Sequence, residues 1–199
     1  MKTDKSKLKY LLPVFCLASA VVISAGLRAK YVTSIKVKGS VTFSQGADIA
    51  DSMTLLESPA VQNTDGSYTL NTSADKVTEN TYTVMPGVDI PKDPKITIEN
   101  KTSVPSYLYI EVIKSADFPS TVKYSLTSDW SLLSGVTGKE GGDVYVYQGS
   151  AFSSPIGILA GDKIIVSDQY AGDAFSLNFH GYLLQKTGSD TAAQTFTFS

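Results

Sequence analysis

His180 is the only histidine in this 199-residue chain and Cys16 the only cysteine, so chemistry that needs an imidazole or a thiol rests on one side chain of each kind. In "SLNFHGYLL" His180 runs out of phase with Leu177, Phe179 and Leu183, which predicts a solvent-facing position on a strand. A lone imidazole without a placed partner makes a poor general base. Zinc of the usual kind asks for three or four His, Cys or carboxylate ligands, and no H-E-x-x-H occurs. Ser134 in "LLSGV" and Ser150 in "YQGSAFS" stand beside glycine, but neither belongs to a G-x-S-x-G elbow, and turn roles account for both. Asp162, Asp168 and Asp173 surround "KIIVS" and could reach a calcium ion, yet they lack the order of an EF-hand and read as solvated acidic turns. A glycine-rich phosphate loop is absent from the sequence. The residues therefore predict no enzyme: no catalytic group, no metal site and no cofactor.

Cys16 sits in "LLPVFCLASAVVISAGL", an uncharged apolar run of 17 residues that follows Lys2, Lys5, Lys7 and Lys9. A basic segment ahead of such a run is the plan of a secretory signal helix, and no lipobox precedes the cysteine. An uncleaved anchor is the alternative reading, because the run is near the lower limit of a membrane span. Ser24 and Gly26 supply small residues at −3 and −1, while cleavage after Ala29 places Leu27 at −3. The cleavage region is thus Gly26, Leu27, Arg28, Ala29 and Lys30, with a signal peptide over residues 1–29 and one secreted domain over residues 30–199. Loss of the four lysines, Arg28 and Asp4 leaves 12 basic and 18 acidic side chains, a net charge of −6. Nucleic acid and anionic membrane surfaces are not expected partners of such a domain. Membrane contact is expected only through the signal segment before cleavage, and the product is expected outside the cell or on its surface. Without a thiol, the domain must stand on its hydrophobic core, for which it is long enough.

Elements with a period of two dominate the rest. Ile35, Val37, Val41 and Phe43 alternate with polar residues in "SIKVKGSVTF", and "SYTLNT", "TYTVM", "KITIEN", "YLYIEVI", "TVKYSL", "DVYVYQ", "KIIVS", "AFSLNFHGYLL" and "QTFTFS" follow the same rule. Turn signals separate them at "TDGS", "MPGVD", "KEGGD" and "LAGDK". About ten short strands predict an all-β, antiparallel sandwich of jelly-roll type. Ile96, Ile98, Leu108, Ile110, Val112, Leu177 and Phe179 are expected in one core. "QGADIADSMTLLE", with Ile49, Met53 and Leu56 at intervals of four and three, reads as a short helix or an irregular loop.

Three stretches carry a likeness to a known family: "GLRAKYVT" past the apolar run, "YTVMPGVDIPKDPKITIENKTSVPSYLYIEV", and the late "DAFSLNFHGYLLQ". Together they resemble the TasA, camelysin and BsaA group of Gram-positive secreted proteins. The likeness covers nearly the whole chain, and the P-G-V-D-I-P-K-D-P-K-I-T-I-E-N core over residues 86–100 is its most specific part. It implies export through the signal peptidase SipW and a structural role in biofilm-matrix fibres, with Asn100, Tyr107 and Tyr109 in matching places. At the signal junction the family favours G-T-x-A-x-F, whereas Arg28 and Lys30 flank Ala29 here. The metallopeptidase label of the camelysin branch finds no support in a chain with one histidine and no zinc motif.

Pro86, Pro91, Pro94 and Pro105 remove backbone donors at fixed points and so limit which edges can pair. Two readings of function follow. In the first, the chain is a structural subunit that forms a homopolymer, its N-terminal strand (Ile35, Val37, Val41 and Phe43) completing the sheet of the next subunit, as the resemblance implies. In the second, it is a monomeric sandwich that binds carbohydrate or a host protein through its loops, with Trp130 and the tyrosines as contacts.

Overall fold

A computed structural model of the chain describes residues 31–36, 41–43, 50, 52–101, 103–149, 152, 155–172, 174–186 and 188–197; over residues 31–36, 41–43 and 52 the description is of the backbone. The expected signal helix, the cleavage region from Gly26 to Lys30, and the candidates Val37, Ser150 and Asp173 lie outside the described residues. In chain order the strands are β1 (Tyr31–Lys36), β2 (Val41–Phe43), β3 (Ser52–Leu56), β4 (Ala60–Gln62), β5 (Tyr68–Leu70), β6 (Glu79–Val84), β7 (Ile90–Pro91) and β8 (Lys95–Glu99). They continue with β9 (Ser106–Lys114), β10 (Val122–Lys123), β11 (Trp130–Thr137), β12 (Asp143–Tyr147), β13 (Ile156–Gly157), β14 (Lys163–Val166) and β15 (Leu177–Gln185). A helix, α1, follows at Ala192–Thr197. The protein is mostly β, in antiparallel sheets with very little helix.

The largest sheet has the order β11-β12-β9-β15-β2, and its central pair, β9 with β15, runs in register from Ser106↔Gln185 to Lys114↔Leu177. Alternation assigns the two faces of these strands. Leu108, Ile110 and Val112 of β9 join Leu177, Phe179 and Leu183 of β15 in a buried cluster that also takes Met53 and Leu55 of β3 and Ile96 and Ile98 of β8. All seven residues expected in one core are in that cluster. The opposite face is apolar too: Tyr109, Val144, Val146, Tyr182 and Leu184 bury against Phe196 of α1. With both faces covered, β9 and β15 lose the polar outer row that a half-exposed strand shows.

Two local expectations are corrected. Ser52–Leu56 is a strand, pairing with β8 from Ser52↔Glu99 to Leu56↔Lys95. Met53 and Leu55 point into the core while Thr54 is exposed, a period of two that the half-buried Leu56 disguises as helical spacing. Conversely, the described part of "QTFTFS" is not a strand, because Ala192–Thr197 is helical. Thr191 and Gln194 form a capping box: the Gln194 amide donates to Thr191 Oγ1 at 3.3 Å, and the Thr191 amide donates to Gln194 Oε1 at 2.9 Å.

Candidate functional site

The segment over residues 82–112 crosses from β6 to β9. Pro86 is exposed and Gly87 takes φ +74°, so "MPGV" turns with the Val88 amide donating to Met85 O at 3.2 Å. A left-handed residue at the third position of a Pro-Gly turn is what glycine supplies without strain. Asn100 ends β8 with φ +48°, a conformation asparagine tolerates better than most residues. Tyr109 and Tyr107 then donate their hydroxyls to Ala192 O at 2.9 Å and Asp190 O at 3.3 Å, fastening the approach to α1 and its first turn onto the second face of the sheet.

Between those turns, "IPKDP" carries two charges into the interior. Lys92 is fully buried and Asp93 is 3% exposed. The Lys92 amide donates to Asp162 O at 2.7 Å, and its Nζ lies 2.7 Å from Oε2 of the equally buried Glu57. Asp93 accepts from the Ser58 amide and from Ser58 Oγ, both at 2.7 Å, and Lys76 Nζ donates to the same Oγ at 2.8 Å. Asn80 closes the group, donating to Ser58 O at 2.8 Å and accepting from the Ala60 amide at 2.8 Å. Tyr82 donates to Pro91 O at 2.9 Å, and burial raises its hydroxyl far above the ordinary tyrosine range.

Burial dominates the electrostatics of the pair. It raises the Glu57 carboxyl against the opposing pull of Lys92 and Asn80, and it lowers the Lys92 amine against the opposing pull of Glu57. Glu57 Oε1 is buried and makes no hydrogen bond of ordinary geometry among the described residues. A cleft of about 280 Å³ adjoins the group, lined by Glu57, Ser58, Lys76, Asp93, Lys95 and Thr97 among others.

A second buried carboxylate lies on the far face of the large sheet. Glu111 Oε1 accepts the Glu140 and Gly142 amides at 2.9 and 2.8 Å, and Oε2 accepts the Tyr182 hydroxyl at 2.8 Å. This ties the loop between β11 and β12 to the sheet. Gly138 packs so tightly on Glu111 that a Cβ there would overlap its carboxylate. His180 belongs to this group. Its side chain is 12% exposed, stacks on Tyr182 at 4.6 Å and places Nδ1 2.7 Å from Glu140 Oε1. The solvent-facing position expected for it is corrected: the phase was right, but the second face is covered.

The N-terminal strands occupy edges. β1 pairs with β6 alone, antiparallel from Tyr31↔Val84 to Lys36↔Glu79, and Ile35 stands opposite Asn80. β2, with Val41 and Phe43, pairs with β15 alone and is the only parallel neighbour among the described strands. At the other end of the large sheet, the register of β11 breaks between Leu132 and Thr137, a bulge that blunts that edge.

The remaining candidates do not converge. Trp130 is 6% exposed and donates Nε1–H to Gly157 O at 2.9 Å, so the surface contact expected of it is corrected to a core role. Of the described tyrosines with assigned burial, Tyr82, Tyr109, Tyr170 and Tyr182 are buried and the others are half-buried. Ser134 is exposed on β11, and Asp162 and Asp168 lie in separate turns. Among the described residues no three His, Cys, Asp or Glu side chains gather as a metal site. Among the same residues no helix is long and apolar enough to cross a membrane. Sequence reasoning passed over Glu57, Asn80, Lys92, Asp93 and Glu111; two adjacent charges between prolines, inside a run that otherwise alternates apolar residues, were the available signal for Lys92 and Asp93. No family model matches the chain, and comparisons with characterised proteins and with solved structures return no significant match.

Proposed function

We propose that this chain is a structural subunit of an extracellular biofilm matrix or cell-surface fibre, a secreted jelly-roll-like β-sandwich whose copies join by β-strand addition. The observation that carries the reading is the placement of β1 and β2. Each pairs with one strand at a sheet edge, so the N-terminal segment can leave without breaking any other ladder. Its departure uncovers the edges of β6 and β15, and the same segment of a neighbouring copy carries the residues that fit them. Ladder bonds would give affinity, and the alternation of Ile35, Val37, Val41 and Phe43 would fix register, since a slip of one residue turns all four outward. Exchange of this kind is head-to-tail and propagates as a filament. The resemblance to the TasA, camelysin and BsaA group supports the same reading, as does the bulged edge at β11, which disfavours pairing on the opposite side.

The test is electron microscopy of purified mature protein across a concentration series. Filaments are expected, and deletion of residues 30–43 is expected to abolish them. A synthetic peptide of residues 30–43 should then bind the truncated domain and raise its Tm. Filaments from the truncated protein, or an unchanged Tm with peptide, would refute strand donation; a protein that stays monomeric at every concentration would refute the fibre.

A further inference from the structure

Glu57 and Lys92 are pinned from both sides. Glu57 exchanges two backbone hydrogen bonds with Val77, at 2.9 and 2.8 Å, while the Lys92 backbone N–H donates to Asp162 O, and Pro91 and Pro94 bracket the Lys92-Asp93 pair. Their side chains meet at 2.7 Å with no exposed surface on either. Held reactants of this kind gain the advantage of an intramolecular reaction. The carboxyl has one oxygen on the lysine, and the other makes no hydrogen bond of ordinary geometry among the described residues.

We propose that Glu57 and Lys92 condense to an intramolecular amide, making this pair a site of self-modification. A proton first passes from Lys92 Nζ to Glu57 Oε2 along their hydrogen bond, leaving a neutral amine and a carboxylic acid. Burial favours that neutral pair over two charges. The shifts of both groups run in the same sense, Glu57 up and Lys92 down. The amine lone pair then adds to Cδ, a second proton moves from Nζ to the Oε2 hydroxyl, and the Cδ–Oε2 bond breaks. One N–C bond forms, one C–O bond is lost, one water leaves, and nothing is oxidised or reduced. Glu57 also borders the cleft of about 280 Å³ beside the cluster, which can receive the water once the buried side chain opens toward it. The product links residues 35 positions apart and encloses β4, β5, β6 and β7 in a covalent loop. Such a loop restricts the unfolded chain as a disulfide does, in a domain that has no thiol once residue 16 is removed.

The experiment is intact-mass measurement of the purified mature protein under denaturing conditions, followed by chymotryptic digestion and fragmentation. The expected mass is one water below the sequence mass. Tyr68 and Tyr82 lie between the two residues, so cleavage there yields two peptides that remain joined through Glu57 and Lys92. Lys92→Met should restore the full sequence mass. Glu57→Gln should lose ammonia in place of water, since its amide is also an acyl donor. A wild-type protein at full sequence mass overturns the proposal. So does a water deficit that persists in Lys92→Met, the result expected of a succinimide at Asp65-Gly66. The wild-type digest decides the matter even if a variant fails to fold. Mass is read on single chains, so this test and the filament test fail independently.

Discussion

Glu57 and Glu111 are both buried carboxylates in the same domain, and they are satisfied in opposite ways. Glu111 receives two backbone amides and a tyrosine hydroxyl, so both of its oxygens are occupied by neutral donors fixed by the sheet and its loop. Glu57 faces an ammonium with one oxygen, and its other oxygen makes no hydrogen bond of ordinary geometry among the described residues. Fixed neutral donors hold a carboxylate in one place and one orientation. A buried counter-ion leaves a second option, since the proton can move across and both charges disappear. The first arrangement fastens a loop; the second is a place where protonation state, and on our proposal bonding, can change.

The largest expected effect separates the two by removing one partner. At neutral pH, Lys92→Met should be about 3–5 kcal/mol less stable than the Lys92→Met/Glu57→Gln double variant, because the single change strands a buried charge and the double change does not. Neither variant can form the link between lysine and glutamate, so the comparison isolates electrostatics. Its pH dependence has a definite sign. The folded Glu57 carboxyl is raised above its ordinary value of 4.5, so the folded state holds a proton that the unfolded state has lost. The single variant should therefore be at its most competitive with the double variant below about pH 4.5 and lose ground as pH rises through the raised folded value. Denaturant titrations at several pH values measure this, and equal stability of the two variants at all pH values would break the comparison.

An apolar lesion next door gives the scale. Ile110 is fully buried on the core face of β9, while Glu111 points to the other face. Ile110→Ala should cost about 2–5 kcal/mol by cavity formation, with no pH dependence of its own. Unchanged stability would mean that the core cluster has been misassigned. Glu111→Gln should cost less, about 1–3 kcal/mol, because the amide keeps one acceptor but turns a donor toward donors already in place. Amide hydrogen exchange should quicken at Glu140 and Gly142 and not at Ser58, which locates the loss. Smallest is Thr191→Ala, at about 0.5–2 kcal/mol, which removes half of the box that starts α1. If Tyr182 and Glu111 depend on α1 as a cover, the same variant should also speed exchange at Gly142.

How much of this was legible depended on period and on partner distance. The strands of residues 95–99, 106–114 and 177–185 were readable because alternation of Ile, Leu, Val and Phe survives burial on one face. β3 was misread because Leu56 sits half-buried at a helical interval from Met53. α1 was missed because "TFTF" alternates like a strand, while the T-x-x-Q directly before it carried the stronger capping signal. For the buried carboxylates no local pattern sufficed, since Glu57 finds Lys92 and Glu111 finds Tyr182 only through the tertiary fold. A charge in a strand reads as solvent-facing until the element that covers it is known.

The pairing of β2 with β15 also dictates an order of events. Val41 and Gly181 come from opposite ends of the chain, so this ladder closes the widest loop that the described strands form. A contact of that span adds entropy cost before it returns any bonding, and topologies rich in such contacts fold slowly. A chain made from its N-terminus presents β2 long before β15 exists. In that interval the early strand has no intramolecular partner. Under the proposed strand addition, local concentration of chains, more than the stability of the finished fold, would decide whether the first strand returns to its own domain or joins another.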